Sequence, residues 1–324
     1  MYIQDVVSLS DLNDEILAFY KALGVDMVQV DLRAGVSRIN PDFDPRDGQD
    51  CTEVFEKARA QVEAHGLNLN AVFSSCSEEI SLARPDADEK IEAWCRMLES
   101  LGRAGIPHLG WNFKPMGNFR TAADKGRGGV DYSSFDQAVF DQKRPPAHKP
   151  EVNADQMWAR MEGFLKAVIP VAQKAKVRMA LHPDDPPVPA SLAGIAQICS
   201  TPAHFRRIFD SQPSTYNAML FCQGCMTECL GGQVYGAIEE MAAADRIAWV
   251  HFRNVRGMLP CFNEVFIDEG DIDMRRAMEL YRDNGFKGAF MMDHTPSFPQ
   301  KQAGWAGKAY AIGYIRALIQ TVYA

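Results

Sequence analysis

The sequence predicts an α/β fold: a (β/α)8 TIM barrel, one domain over residues 1–324, with an active-site loop inserted at 114–153. Three observations lead there. Short runs rich in Val, Ile, Leu, Met and Phe recur eight times, segments of helical periodicity separate them, and glycines stand where a helix should stop before the next strand.

The strand runs lie at 2–7, 26–32, 67–73, 108–113, 177–182, 217–222, 247–254 and 288–294, the first being the weakest pattern. Between them, 86–104, 154–174 and 272–284 return apolar residues every three or four positions, as amphipathic helices do. Gly24, Gly66, Gly105 and Gly285 each follow a helical stretch and precede a strand run. Eight such units favour a closed barrel over an open doubly wound sheet, and no Gly-x-Gly-x-x-Gly or Walker-type lysine motif argues for the sheet. The 114–153 segment breaks the rhythm with Gly117, Gly126, Gly128, Gly129, Pro145 and Pro146. It is too long for a plain connection and is expected to cover the site.

Composition narrows the function. With 47% hydrophobic and 23% charged residues the chain can bury a large core, which excludes disorder. A formal net charge of -8 excludes a continuous phosphate-tracking surface, so nucleic acid is not an expected partner. The same charge repels an anionic substrate at long range, so a site for one needs a metal or Arg/Lys nearby. Neither an apolar run of membrane-spanning length nor a signal-peptide pattern is found, and a cytoplasmic protein without membrane association is expected. The eight Cys are scattered, which favours free thiols or a metal ligand over disulfides. Association into a homo-oligomer is left open.

Four later strand runs end in metal-seeking residues: His182, Cys222, His251 and Asp293. In a barrel all strand C-termini open on one face, so ligands thirty to forty residues apart in sequence converge. Each alone has a bland explanation. Two imidazoles, a thiolate and a carboxylate at successive mouths are better explained by one divalent cation, the set suiting manganese, iron, cobalt or zinc alike. Cys222-Gln223-Gly224-Cys225 lacks the second close pair of a zinc ribbon, so Cys225 and Cys229 are expected to be packing residues. In His251-Phe252-Arg253-Asn254 the alternation puts Arg253 on the side of His251, where a guanidinium can grip a substrate carboxylate. The competing expectation is an ion pair of Arg253 with Asp273 or Glu269. His294 beside Asp293 is a candidate acid/base, histidine being the side-chain type that titrates closest to neutrality. Asn112 and Lys114 offer donors to substrate hydroxyl or carboxylate groups, and Asp185 is a further substrate-binding candidate.

Together these stretches resemble the mannonate dehydratases. The resemblance is carried by Asn112-Phe113-Lys114-Pro115, His182-Pro183-Asp184-Asp185-Pro186-Pro187, Phe221-Cys222-x-Gly224, His251-Phe252-Arg253-Asn254-Val255, Gly270-Asp271-Ile272-Asp273-Met274 and Asp293-His294. It implies a metal-dependent barrel that removes water from D-mannonate to give 2-dehydro-3-deoxy-D-gluconate, with a divalent metal, Mn2+ or Fe2+ in the leading case, on His182, Cys222, His251 and Asp293. The chain departs from the family where a Pro-Gly-Tyr stretch supplies a catalytic tyrosine: here Thr295-Pro296 follows His294, and the corresponding region reads Ala303-Gly304-Trp305. An indole cannot exchange a proton as a phenol does, so Tyr310 or another group must substitute, or the chemistry differs. A metal-dependent sugar isomerase or epimerase and a non-catalytic carbohydrate-binding barrel are the alternatives.

Overall fold

The protein, seen in a computed structural model, is described for residues 1–33, 44–143, 146–188, 190–296, 298 and 305–324. Eight strands form a closed, all-parallel barrel: β1 (Tyr2–Ser8), β2 (Met27–Asp31), β3 (Asn68–Ser75), β4 (His108–Asn112), β5 (Arg178–Leu181), β6 (Asn217–Cys222), β7 (Ile247–His251) and β8 (Ala289–Met291). β1 closes the ring by pairing with both β2 and β8. All eight runs read from the sequence are strands, the weak first one included.

The principal helices around the ring are α1 (Asp14–Leu23), α2 (Thr52–Ala64), α3 (Ala87–Arg103), α4 (Ala154–Ala175), α5 (Pro202–Ser211), α6 (Val234–Ala243), α7 (Met274–Asp283) and α8 (Ala306–Val322). Their starts follow from capping chemistry. Asn153 and Gln156 form a reciprocal capping box at α4, and Thr201 and Asp273 cap α5 and α7. Gly24 ends α1 at φ 80°, and its N–H donates back to the carbonyls of Tyr20 and Lys21; a side chain there would strain the turn.

The barrel interior alternates large and small residues. Trp249, Phe73 and Met291 pack in one cluster with Ala71, Ala180, Ala218 and Ala289. Gly110 belongs to this fit: a Cβ there would lie 2.5 Å from Phe73 Cδ2 and 2.9 Å from Trp249 Cη2. No helix among the described residues is long and apolar enough to cross a membrane.

The expected cover takes a more regular form than a loop. Strands Ala122–Lys125 and Asp131–Asp136 pair with each other and join a hairpin, Val255–Met258 and Cys261–Glu264, that follows β7. The four-stranded antiparallel sheet therefore draws on two excursions, where the sequence suggested one. Its inner face is held by Phe135 stacked on Phe262 with ring centroids 5.7 Å apart, both buried.

Gly110→Ala should destabilise the chain by about 1–3 kcal/mol through overpacking against the two aromatic rings. Denaturant unfolding of wild type and variant checks this, with an unchanged midpoint counting against the interior described.

Candidate active site

The ends of β5, β6 and β7 bring His182, Cys222 and His251 together, with a ligating atom of each within 4.8 Å of the others. Register explains the convergence: Cys222 pairs with His251 across adjacent strands, and the His182 N–H donates to the Trp111 carbonyl at 2.7 Å. Asp293, just past β8, lies beside this group, with Oδ1 3.3 Å from His251 Nδ1. Its backbone adopts φ 66°, a left-handed conformation uncommon outside glycine but tolerated by aspartate.

The protonation pattern fits a cation. His182 donates from Nδ1 to the Pro183 carbonyl at 2.7 Å, which leaves Nε2 as the lone-pair nitrogen facing the cluster. His251 is buried, yet neither ring nitrogen makes a geometrically sound hydrogen bond. Buried polar atoms are seldom left so, and a divalent ion would satisfy one of them. Cys222 caps the short helix Gln223–Leu230, its sulfur accepting from the Cys225 N–H at 3.4 Å. Burial pushes the Cys222 thiol up, but the Cys225 contact, Arg253 and the two imidazoles outweigh it and hold the group well below its ordinary value. Burial likewise opposes protonation of His251, but the Asp293 carboxylate and the Cys222 sulfur raise it to about 9. Asp293 is pushed up by burial, and held well below the usual carboxylate range by His251, His294 and Arg253.

Arg253 lies behind this cluster. It is 3% exposed, and its guanidinium meets Glu264 at 2.6 Å, Glu228 at 3.1 Å and Asp293 at 3.2 Å. It also approaches the sulfurs of Cys222 at 3.7 Å and Cys225 at 3.5 Å. The alternation did place it on the side of His251, but its carboxylate partners are Glu228, Glu264 and Asp293 in place of Asp273 or Glu269. Cys225 is buried against this guanidinium and Cys229 is partly buried; all eight cysteines are unpaired. Nor is Asp185 a free substrate acceptor. It takes hydrogen bonds from Arg120 at 2.7 Å and Asn118 at 3.0 Å, while its neighbour Asp184 accepts from Cys199 N and Ser200 Oγ.

A cavity of about 270 Å³ opens above the cluster, near the lower end of small-molecule sites. Its wall includes His182, His251, Asp293, His294, Asn112, Lys114 and Asp185, so seven of the nine residues singled out in the sequence meet there. Cys222 and Arg253 lie below it. His294 is at the mouth, 47% exposed, with Nε2 3.4 Å from Asp293 and 3.5 Å from Glu264. Asn112 is buried and donates to Ser75 Oγ, and Lys114 donates to Asn118. Tyr310 does not reach the cavity: it packs on Phe266 and Arg127 outside the barrel mouth. Trp305 packs at a tilt against Phe19, with ring centroids 4.2 Å apart. Ala303 and Gly304 lie outside the described residues.

Sequence reasoning missed Glu264, Glu228, Arg120, Asn118 and Arg33. The first three form one buried network with Arg253 and Asp185, Arg120 bridging Asp185 and Glu264 at 2.7 and 2.6 Å. None of these three sits at the end of a barrel strand, the signal that revealed the others. A second cavity, about 610 Å³, lies at the opposite end of the barrel among residues such as Tyr2, Asn70, His108 and Arg178. It has none of the convergent ligands.

A family model described as D-mannonate dehydratase (UxuA) matches residues 23–149 and 141–324. The chain belongs to the mannonate dehydratase family. Mannonate dehydratase of Streptococcus pneumoniae is 28% identical over 265 residues, 73% of this chain and 72% of its own length. The enzyme of Endomicrobium trichonymphae is 26% identical over 75% of each chain. The crystal structure of mannonate dehydratase from Streptococcus suis serotype 2 superposes with a TM-score of 0.84 at 24% identity, covering 98% of this chain and 93% of that one. A D-psicose 3-epimerase from Clostridium cellulolyticum H10 shares the barrel, with a TM-score of 0.65 at 13% identity. As a mannonate dehydratase family member the chain is a carbon–oxygen lyase of the hydro-lyase class.

Binding of a cation must displace the proton that His251 carries below about pH 9. Apparent affinity for Mn2+ should therefore rise about tenfold per pH unit between roughly pH 7 and 9, with about one proton released per ion. Titration calorimetry in buffers of different ionisation enthalpy measures both. The metal-free chain should show the opposite trend. A folded-state value raised above the unfolded one contributes stability that is present below about pH 6.5 and lost as pH rises through about 9.

Proposed function

We propose that the chain removes water from D-mannonate to give 2-dehydro-3-deoxy-D-gluconate, using a divalent cation on His182, Cys222, His251 and Asp293. The observation that carries this reading is the meeting of two imidazoles and the Cys222 sulfur, with the Asp293 carboxylate against His251, at a sugar-sized cavity. Membership of the mannonate dehydratase family supports the substrate and the reaction. A cation held there, Mn2+ or Fe2+ in the leading case, would supply fixed positive charge beside the oxygens on which negative charge develops.

The difficult event is loss of a proton from the carbon beside an ionised carboxylate, followed by departure of hydroxide from the next carbon and conversion of the enol to the ketone. His294 is the group placed to move a proton: it stands at the mouth, and carboxylates of Asp293 and Glu264 lie within 3.5 Å of its Nε2. Those carboxylates orient the ring. Asn112 and Lys114 hold substrate hydroxyls from the β4 side. Arg253 acts through the ligands, fixing Asp293 and the Cys222 sulfur. Asp185 is committed to Arg120 and Asn118, so it orients Asn118, and through it Lys114, more than it touches substrate. The four-stranded cover restricts water over the reacting centre. Tyr310 lies elsewhere, so no tyrosine phenol is assigned a part. A cytoplasmic setting suits a thiolate ligand and eight free cysteines.

Incubated with Mn2+ and D-mannonate, the purified chain should form a 2-keto-3-deoxy acid. An isomeric product that retains all its oxygens would instead indicate an isomerase or epimerase, and no turnover of any sugar acid would indicate a binding protein. His294→Asn should lower kcat by about 10²–10⁴-fold while leaving the metal content unchanged; full activity in this variant would remove His294 from the reaction.

A further inference from the structure

An anionic substrate entering a chain of net charge -8 needs a cation that is free to meet it. Arg253 is 3% exposed and already engaged by Glu228, Glu264 and Asp293. Arg120 is taken by Asp185 and Glu264. Among the described residues lining the cavity, the permanent cations are Lys114 and Arg33. Lys114 is a flexible point charge already donating to Asn118.

Arg33 follows β2, and two contacts fix its plane. The guanidinium carbon lies 4.4 Å from the Phe73 ring centroid, and Nε and Nη2 reach Asp31 at 2.6–3.1 Å. A planar fork held in this way loses little freedom on gripping a carboxylate. The pair with Asp31 does not use up the cation, since Arg33 is 48% exposed and such pairs are individually weak in water. The wall below points to a polar ligand as well. Gln29, on the same strand and 2% exposed, lines the cavity with Oε1 lacking any hydrogen-bond partner. β2 and β8 both flank β1, so the Arg33 and His294 sides of the cavity are one strand apart.

We propose that Arg33 binds the substrate carboxylate and makes the site select sugar acids over neutral polyols; this rests on the sugar-acid reading given above. The carboxylate end lies toward β2, which leaves the adjacent carbon on the side of His294. Gln29 accepts a hydrogen bond from a substrate hydroxyl on the same wall.

The test is the binding ratio of D-mannonate to D-mannitol, its uncharged six-carbon counterpart, measured by calorimetry on Mn2+-loaded chains that all carry His294→Asn to suppress turnover, with wild-type Arg33, Arg33→Gln or Arg33→Lys. The chain with Arg33 should prefer the acid. Arg33→Gln should weaken D-mannonate about 10–100-fold, as loss of a charged hydrogen-bonded pair does, and leave D-mannitol nearly unchanged. Arg33→Lys should recover only part of the difference, and equal metal content in all three excludes a folding effect. An acid-to-polyol ratio in Arg33→Gln equal to that of the chain with Arg33 overturns the assignment, as does an absence of preference in the latter. The ratio is read without turnover, so failure to form a 2-keto-3-deoxy acid is a separate result and counts against the dehydratase reading alone.

Discussion

The mouth of the barrel is organised around one buried guanidinium. Arg253 is out of contact with water, and a charge in that position is tolerated only when its donors are met by anions. Glu264, Glu228 and Asp293 meet them, and two of its contacts are the sulfurs of Cys222 and Cys225. The same residue therefore sets the orientation of Asp293 and favours the thiolate of Cys222. Burial, followed by the charge of Asp185, pushes Glu228 well above the usual carboxylate range. Cys222, Asp185, Glu264 and Asp293 are each held below their ordinary values, with the guanidiniums of Arg253 and Arg120 among the causes. Asp293 and Cys222 in turn favour a proton on His251 in the metal-free chain.

The four-stranded sheet belongs to this electrostatic arrangement as much as to the packing. Glu264 stands at the end of the hairpin that follows β7, and Arg120 lies in the segment before the Ala122–Lys125 strand; their 2.6 Å ion pair joins the two excursions over the site. Phe135 and Phe262 add the apolar component. Asn254 secures the other end of the hairpin. Its amide donates to the Ile267 and Ile272 carbonyls, and Gly270 is required beside it because a Cβ would lie 2.1 Å from Asn254 Oδ1. The Gly270-to-Met274 motif is thus a clamp for the loop and the cap of α7, with no direct part in chemistry.

Much of this was legible in the sequence, for a physical reason. Barrel strands are short apolar runs, and their C-termini share a face, so His182, Cys222, His251 and Asp293 could be grouped without any contact being known. Strand alternation likewise put Arg253 beside His251. What could not be read was which groups would reach Arg253. Glu228 lies on a short helix, Glu264 on a hairpin and Arg120 in the cover, and an isolated charge in such segments carries no periodic signal. Arg253 and Asp185 looked available to substrate because their carboxylate and guanidinium partners were invisible. Arg33 was overlooked because a charged residue after a strand is usually solvated, and only Phe73 and the shared cavity distinguish it. Tyr310 seemed a candidate phenol on residue type, whereas α8 places it outside the mouth.

Sulfur, nitrogen and oxygen from four strand ends are proposed to hold one cation. X-ray absorption at the metal edge of the Mn2+- or Fe2+-loaded chain tests it most directly. The account predicts a shell containing one sulfur scatterer, lost in Cys222→Ser, together with two imidazoles. A shell of nitrogen and oxygen alone, unchanged by that substitution, would contradict it.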